Sequence, residues 1–126
     1  ELDGDNDGMI NQWELSNGLN PNVDEQASNP DGDSYNNWFE YVTDTDPLDP
    51  NSQQSFAIAP EEGTGDPQIT FSTSAIRDYI VQYSNDLSPE SWLPLTETIK
   101  GTGGEITVTD NTGGTKRFYR VKILLP

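Results

Sequence analysis

Carboxylates set at a fixed stride are the residues of this chain with the most chemistry to offer. Residues 3–14 read DGDNDGMINQWE, so Asp3, Asp5 and Asp7 alternate with other residues and Glu14 follows at the twelfth place. A hard cation of calcium's size takes six to eight oxygens at roughly 2.3–2.6 Å, and a twelve-residue loop supplies them from places one, three, five, seven, nine and twelve. Here those places hold Asp3, Asp5, Asp7, the Met9 carbonyl, Asn11 (directly or through a water) and Glu14 as the bidentate last ligand. Gly8 stands at the sixth place, where the backbone turns sharply with positive φ, and Ile10 at the apolar eighth. The pattern D-x-[DN]-x-[DN]-G-x5-E is met in full, and each of its residues has a separate geometric task.

The pattern returns 26 residues later, where residues 29–40 read NPDGDSYNNWFE. Asp31, Asp33, Asn37 and Glu40 match Asp5, Asp7, Asn11 and Glu14, and the register continues through Phe39, Tyr41 and the pair Asp46-Pro47. The second ligand set is Asn29, Asp31, Asp33, the Tyr35 carbonyl, Asn37 and Glu40. It brings three carboxylates where the first brings four. Ser34 replaces the glycine of the sixth place, and a non-glycine residue at positive φ costs on the order of 1 kcal/mol. Two calcium ions are expected, the second held more weakly.

These loops must be positioned by something. Only Glu1 and Leu2 precede the first, and residues 21–28 ahead of the second leave room for at most one short turn, so a full entering helix is expected at neither. A helix of about two turns is predicted after each, over residues 11–17 and 36–43, stopped by Gly18 and by the Asp-Pro steps beyond. Ile10, Trp13, Leu15 and Leu19 with Tyr35, Trp38, Phe39, Tyr41 and Val42 are expected to form a small shared core.

Residues 1–50 resemble the paired calcium repeats, related to thrombospondin type 3 repeats and dockerin-like half EF-hands, of large secreted and surface proteins of environmental bacteria. The resemblance is carried by Trp13-Glu14-Leu15, residues 17–21, residues 29–33, Glu40-Tyr41 and residues 45–50, and covers about two fifths of the chain. It implies bound calcium and an extracellular or cell-surface location. Dockerins often place Asp at the twelfth position, whereas both loops here have Glu, so a cohesin partner is not implied. Asp44, Asp46 and Asp49 resemble the extra linker ligands of such repeats, which would make a third site; a rigid Asp-Pro spacer is the other reading.

Composition frames these motifs. The chain has 126 residues, 31% of them hydrophobic, so little core is available and bound metal is expected to stabilise the fold. Residues 1–50 hold thirteen acids and no Lys or Arg; residues 51–126 hold nine acids and all six basic groups, so −13 and −3 make the net −16. An acidic segment of this kind repels itself, and two calcium ions would offset four of its charges while ordering it. Without calcium, residues 1–50 are expected to be largely disordered. The balance argues against nucleic acid and anionic membrane surfaces, since no basic patch is available to neutralise phosphates. No apolar run reaches a membrane span, and no signal-like segment opens the chain, which implies a mature form or an excised module if the protein is exported. Absence of Cys removes disulfides as the stabiliser.

After a short linker at residues 51–55, the chain reads as strands at 56–59, 68–73, 79–84, 92–96, 105–109 and 117–123. Ile69 and Phe71, then Tyr79, Val81 and Tyr83, then Ile106 and Val108 alternate onto one face each. Breaker-rich stretches at 61–67, 84–89, 101–104 and 110–114 separate them, with hairpin turns expected at 101–104 and 113–114. The fold class is therefore mixed: a calcium-binding loop-helix repeat pair at 1–50 and an all-β antiparallel sandwich of about six strands at 51–126. The second half is similar to the β-sandwich modules that close such secreted proteins, through residues 81–87, Trp92 and residues 117–122. Trp92 and Phe118 are expected as buried anchors, with Arg117, Arg120 and Lys122 on the solvent side. That basic strand is suited to guarding an edge against aggregation or to meeting the acidic half of a neighbouring molecule.

Histidine and cysteine are absent, which removes the commonest general base, the thiolate nucleophile and the usual zinc ligands. The acids sit at calcium spacing, unsuited to proton donation, and no phosphate-binding loop is present. No enzymatic activity is expected. Two readings follow: a calcium-rigidified structural unit of a secreted or surface assembly, self-associating or joined to neighbouring domains, or a carbohydrate-binding module appended to a secreted polysaccharide-degrading enzyme, using Tyr35, Trp38, Tyr83 and Trp92 on polysaccharide.

Overall fold

The computed structural model describes residues 2–112 and 117–126. The chain divides into two compact units, Glu1–Gln53 and Gln54–Pro126.

In the first unit, α1 spans Asn11–Ser16 and α2 spans Asn37–Thr43. Helices this short do not persist on propensity alone, so their ends and their packing must hold them. At the N-terminus of α2, the Asn36 side chain accepts a hydrogen bond from the Phe39 N–H, 2.9 Å away. The C-termini close alike, 26 residues apart. Gly18 (φ 76°) ends α1 and Leu19 N–H donates to Glu14 O at 2.8 Å; Asp44 (φ 54°) ends α2 and Thr45 N–H donates to Glu40 O at 2.9 Å. The left-handed Asp44, rather than the Asp-Pro step expected from sequence, stops the second helix.

Met9, Trp13, Leu19 and Tyr41 are buried together, with Ile10 and Trp38 packed against them. Trp13 meets Tyr41 edge-on at 5.1 Å, and its indole N–H donates to Asp44 at 2.8 Å. Four residues expected in this core, Leu15, Tyr35, Phe39 and Val42, are not part of the cluster. Leu15 is 65% exposed, because a six-residue helix turns Trp13 and Glu14 inward and leaves Leu15 on the far side. Phe39 is exposed and Tyr35 half-buried, and their rings stack on each other at 4.3 Å outside the cluster. Met9 takes up the interior space instead.

The second unit consists of antiparallel sheets. Its strands are β1 Phe56–Pro60, β2 Pro67–Ser72, β3 Asp78–Ser84, β4 Leu93–Pro94, β5 Ile99–Lys100, β6 Glu105–Thr109 and β7 Phe118–Leu124. One sheet runs β1-β2-β6; in the other, β3 pairs along its whole length with β7 and at its two ends with β4 and β5. Ile69 and Phe71 from the first sheet and Tyr79 and Val81 from the second form one buried core, with Ile106, Val108, Val121 and Ile123 packed against it. These are the residues that strict alternation assigns to inner faces.

Two expectations fail here for identifiable reasons. Residues 101–104 are not a hairpin turn, since β5 and β6 belong to different sheets. Gly101 is needed for close backbone approach: its N–H donates to Arg77 O at 3.0 Å, and a Cβ there would lie 1.8 Å from Ser74 O. Gly101→Ala is expected to cost about 1–3 kcal/mol as overpacking. A lowered urea midpoint for the second unit would register it, and an unchanged midpoint would show that the strands yield freely. Trp92 and Phe118 are half-buried and stand outside the core; the Trp92 ring lies under the Arg120 guanidinium, 4.3 Å away. The turn expected at 113–114 lies outside the described residues.

A polar clip sits beside this core. Asp110 is 4% exposed and accepts hydrogen bonds from Arg117 (3.0 Å), Tyr119 (2.6 Å) and Thr112 (2.6 Å). Arg117 also lies over the Tyr83 ring at 4.1 Å, so it is engaged rather than free on the solvent side as expected; Arg120 and Lys122 are exposed. Burial alone would raise the Asp110 pKa, but its hydrogen bonds from Thr112, Tyr119 and Arg117 outweigh that and hold it down to about 2. Burial, and then the bond to Asp110, pushes the Tyr119 phenol up to about 12.

Candidate metal centres

The first loop is shaped by its own aspartates. Asp3 Oδ2 accepts from the Gly8 N–H at 3.0 Å, Asp5 Oδ1 from Asp7 at 3.3 Å, and Asp7 Oδ1 from Met9 at 2.8 Å. These bonds wrap the backbone so that Asp3, Asp5 and Asp7 each present a carboxylate oxygen within 4.8 Å of the others. Ligands on a sphere of about 2.4 Å radius lie at most about 4.8 Å apart, so the three oxygens are close enough together to share one cation of calcium's size. Asp3 Oδ1 and Asp5 Oδ2 are buried without a hydrogen-bond partner.

Glu14 carries the stronger signal. It is 0% exposed, and neither of its oxygens accepts a hydrogen bond. Burial, then the charges of Asp7, Asp5 and Asp3, push its carboxyl up to about 7. Its oxygens do not share the common 4.8 Å spacing of the aspartate trio, yet it is electrostatically part of that group. A buried carboxylate without a partner costs several kcal/mol, and residues 1–53 contain no Lys or Arg to offset it.

The second loop repeats the construction. Asp31 Oδ1 accepts from Asp33 N–H at 3.2 Å and Asp33 Oδ1 from Tyr35 N–H at 2.8 Å. Asp31, Asp33 and Glu40 converge within 4.8 Å. Glu40 is 1% exposed; its Oε1 has no partner and its Oε2 accepts from the Thr45 hydroxyl. Burial, followed by the charges of Asp33 and Asp31, raises its carboxyl to about 7.

The strain expected at Ser34 is absent. The left-handed residues of the first loop are Asn6 (φ 62°) and Gly8 (φ 94°), whereas in the second loop that role falls to Gly32 (φ 73°), and Ser34 keeps negative φ. Gly32 stands at the fourth place, matching Asn6, and the left-handed turn that Gly8 makes at the sixth place of the first loop is not repeated at Ser34. The remaining amides brace their loops. Asn11 Oδ1 accepts from Gly4 N–H at 2.7 Å, Asn29 Oδ1 from Gly32 N–H at 3.2 Å, and Asn37 Nδ2 donates to Glu25 O at 3.0 Å.

Asp44, Asp46 and Asp49 do not converge; among the described residues the two trios above are the only such groups. Asp44 accepts from Trp13, and Asp46 and Asp49 accept from the N–H groups of Leu48 and Asn51, each at 2.9 Å.

A connection absent from the motif lies between the loops. Glu25 N–H donates to Asp7 Oδ2 at 3.3 Å, Gln26 Nε2 donates to Asp7 O at 2.6 Å, and the carbonyls of Glu25 and Gln26 accept from Asn37 Nδ2 and Trp38 N–H. Residues 25–26 thus touch a candidate ligand residue of each loop. Nothing periodic marks them; only their place between two loops of matching register could have drawn attention to them.

Every donor offered is oxygen, with no imidazole or thiolate in the chain, and this suits calcium over a transition metal. Comparison with family models, with curated proteins and with solved structures gave no match to this chain.

Proposed function

We propose that the first unit is a pair of loop-helix repeats that binds two calcium ions, and that the protein is a non-catalytic, calcium-rigidified structural module of an extracellular assembly. The observation that carries this is Glu14, a fully buried carboxylate with two unpartnered oxygens beside three converging aspartates, in a unit without a single cationic side chain. The Asn11, Asn37, Met9 and Tyr35 places complete the oxygen shells. An extracellular setting fits because sites there work at roughly 10⁻⁴ M or weaker. Among the described residues no helix is long and apolar enough to cross a membrane.

The ring geometry favours this reading over a glycan platform. Trp38 packs against the first core, Tyr35 is stacked on Phe39, and Tyr83 and Trp92 each lie against an arginine. Calorimetric titration with calcium tests the proposal: two ions are expected, one lost in Glu40→Gln with the other retained. No heat at millimolar calcium, or calcium-dependent retardation of the protein by one polysaccharide in an affinity gel, would sink it.

Gln26→Ala removes the side-chain bond to Asp7 O. A hydrogen bond worth about 0.5–1.5 kcal/mol corresponds to a roughly 2–10-fold weaker first site. An unchanged isotherm would mean that the linker only passes by the loop.

A further inference from the structure

Four of the six basic residues lie within residues 116–122. On β7, Arg120 and Lys122 share one face, paired across to Gln82 and Ile80 of β3, and both are exposed. Arg120 is held in place: its Nε donates to Gln82 Oε1 at 2.7 Å, and its guanidinium plane rests on Trp92. That arrangement leaves the outer N–H groups of the guanidinium set for a carboxylate, with Lys122 beside them as a second cation.

The same chain carries the complementary surface. Asp46 and Asp49 are exposed and lie outside the proposed calcium shells. Each spends one oxygen on its own turn, bonding Leu48 or Asn51, which fixes the carboxylate and leaves its second oxygen for an external donor. Pro47 and Pro50 stiffen the segment, and Leu48 stands 52% exposed between the two acids. The charge split of −13 against −3 orients any encounter the same way.

We infer that the outer face of β3 and β7, centred on Arg120, Lys122 and Trp92, docks the Asp46–Asp49 turn of a second copy of this chain. The two patches differ, so the contact is head to tail and propagates into a ring or filament rather than closing as a two-fold dimer. The inference rests on the calcium reading in one respect: metal must order the first unit and reduce its charge from −13 to −9 before copies approach. Ionic contacts of this exposure are screened by salt.

Sedimentation velocity of the full chain in saturating calcium is expected to show concentration-dependent association near 50 mM salt that fades toward about 0.5 M. Arg120→Glu with Lys122→Glu, and separately Asp46→Lys with Asp49→Lys, should each weaken it by roughly tenfold or more, since each places like charges together. Mixing the two variants should restore it, because every face then meets its opposite. A wild-type monomer at about 0.5 mM, a concentration well above that of most specific contacts, would overturn the proposal. So would association indifferent to the reversals, or mixtures that stay monomeric. Retention on an acidic polysaccharide that Arg120→Glu abolishes, with the protein still monomeric, would assign the face to glycan instead. Calcium calorimetry on the same samples separates the readings: two bound ions without association overturn the docking alone, and absent heat overturns the calcium proposal as well.

Discussion

Chelation is expected to unfold the first unit while leaving the second intact. Each ion bound at about a hundredfold excess over its dissociation constant contributes about 2.7 kcal/mol, so two supply about 5 kcal/mol. That is as much as the whole stability of many small domains. The buried cluster of Met9, Trp13, Leu19 and Tyr41 is too small to replace it, and α1 and α2 are six and seven residues long. Removal of calcium also leaves the five loop aspartates and the two buried glutamates repelling one another. Glu14→Gln should reproduce most of this at fixed calcium, lowering first-site affinity by more than the roughly 100-fold that even outer partners of a metal ligand are worth. In hydrogen exchange, the amides of α1 and α2 should lose protection in chelator while those of β2 and β3 keep theirs. Helical amides that stay protected in chelator and in Glu14→Gln would show that packing alone holds the unit.

The parts of this architecture legible in the sequence are those with a strict period or stride. Asp3, Asp5 and Asp7 converge because alternate residues of a tight loop point inward, and Ile69, Phe71, Tyr79 and Val81 meet because strand side chains alternate. The departures come where tertiary context chooses between local options. Ser34 escapes strain because the second loop is left-handed at its fourth place alone, where the first is left-handed at both its fourth and its sixth. Asp44 resembles an extra linker ligand of such calcium repeats, but Trp13 claims it from 31 residues away. Trp92 reads as a core anchor by size, yet β4 is only two residues long and leaves its ring beside Arg120. Gly101 reads as a turn residue, but its lack of a side chain serves a close approach to Ser74.

Asp110→Ala is expected to be the most damaging single change in the second unit. The substitution deprives the half-buried Arg117 of its carboxylate and leaves the Tyr119 hydroxyl and the Thr112 N–H without their acceptor. Breaking a largely buried ion pair in this way costs about 3 kcal/mol. The pH dependence gives a second route to the same quantity. Asp110 is held at about 2, below its ordinary 3.8, so between those values the unfolded chain binds a proton that the folded one refuses. Its stabilisation is therefore fully present above about pH 5 and lost as pH falls toward 2, and a shift of this size is worth about 2–3 kcal/mol. Agreement between the two figures is the check on the clip as a unit. Protection of β3 amides should fall across that pH range in the wild type, and Asp110→Asn should flatten the slope while retaining part of the hydrogen bonding. A wild-type profile as flat as that of Asp110→Asn would mean that Thr112, Tyr119 and Arg117 bind the carboxylate no better in the folded chain than water does in the unfolded one.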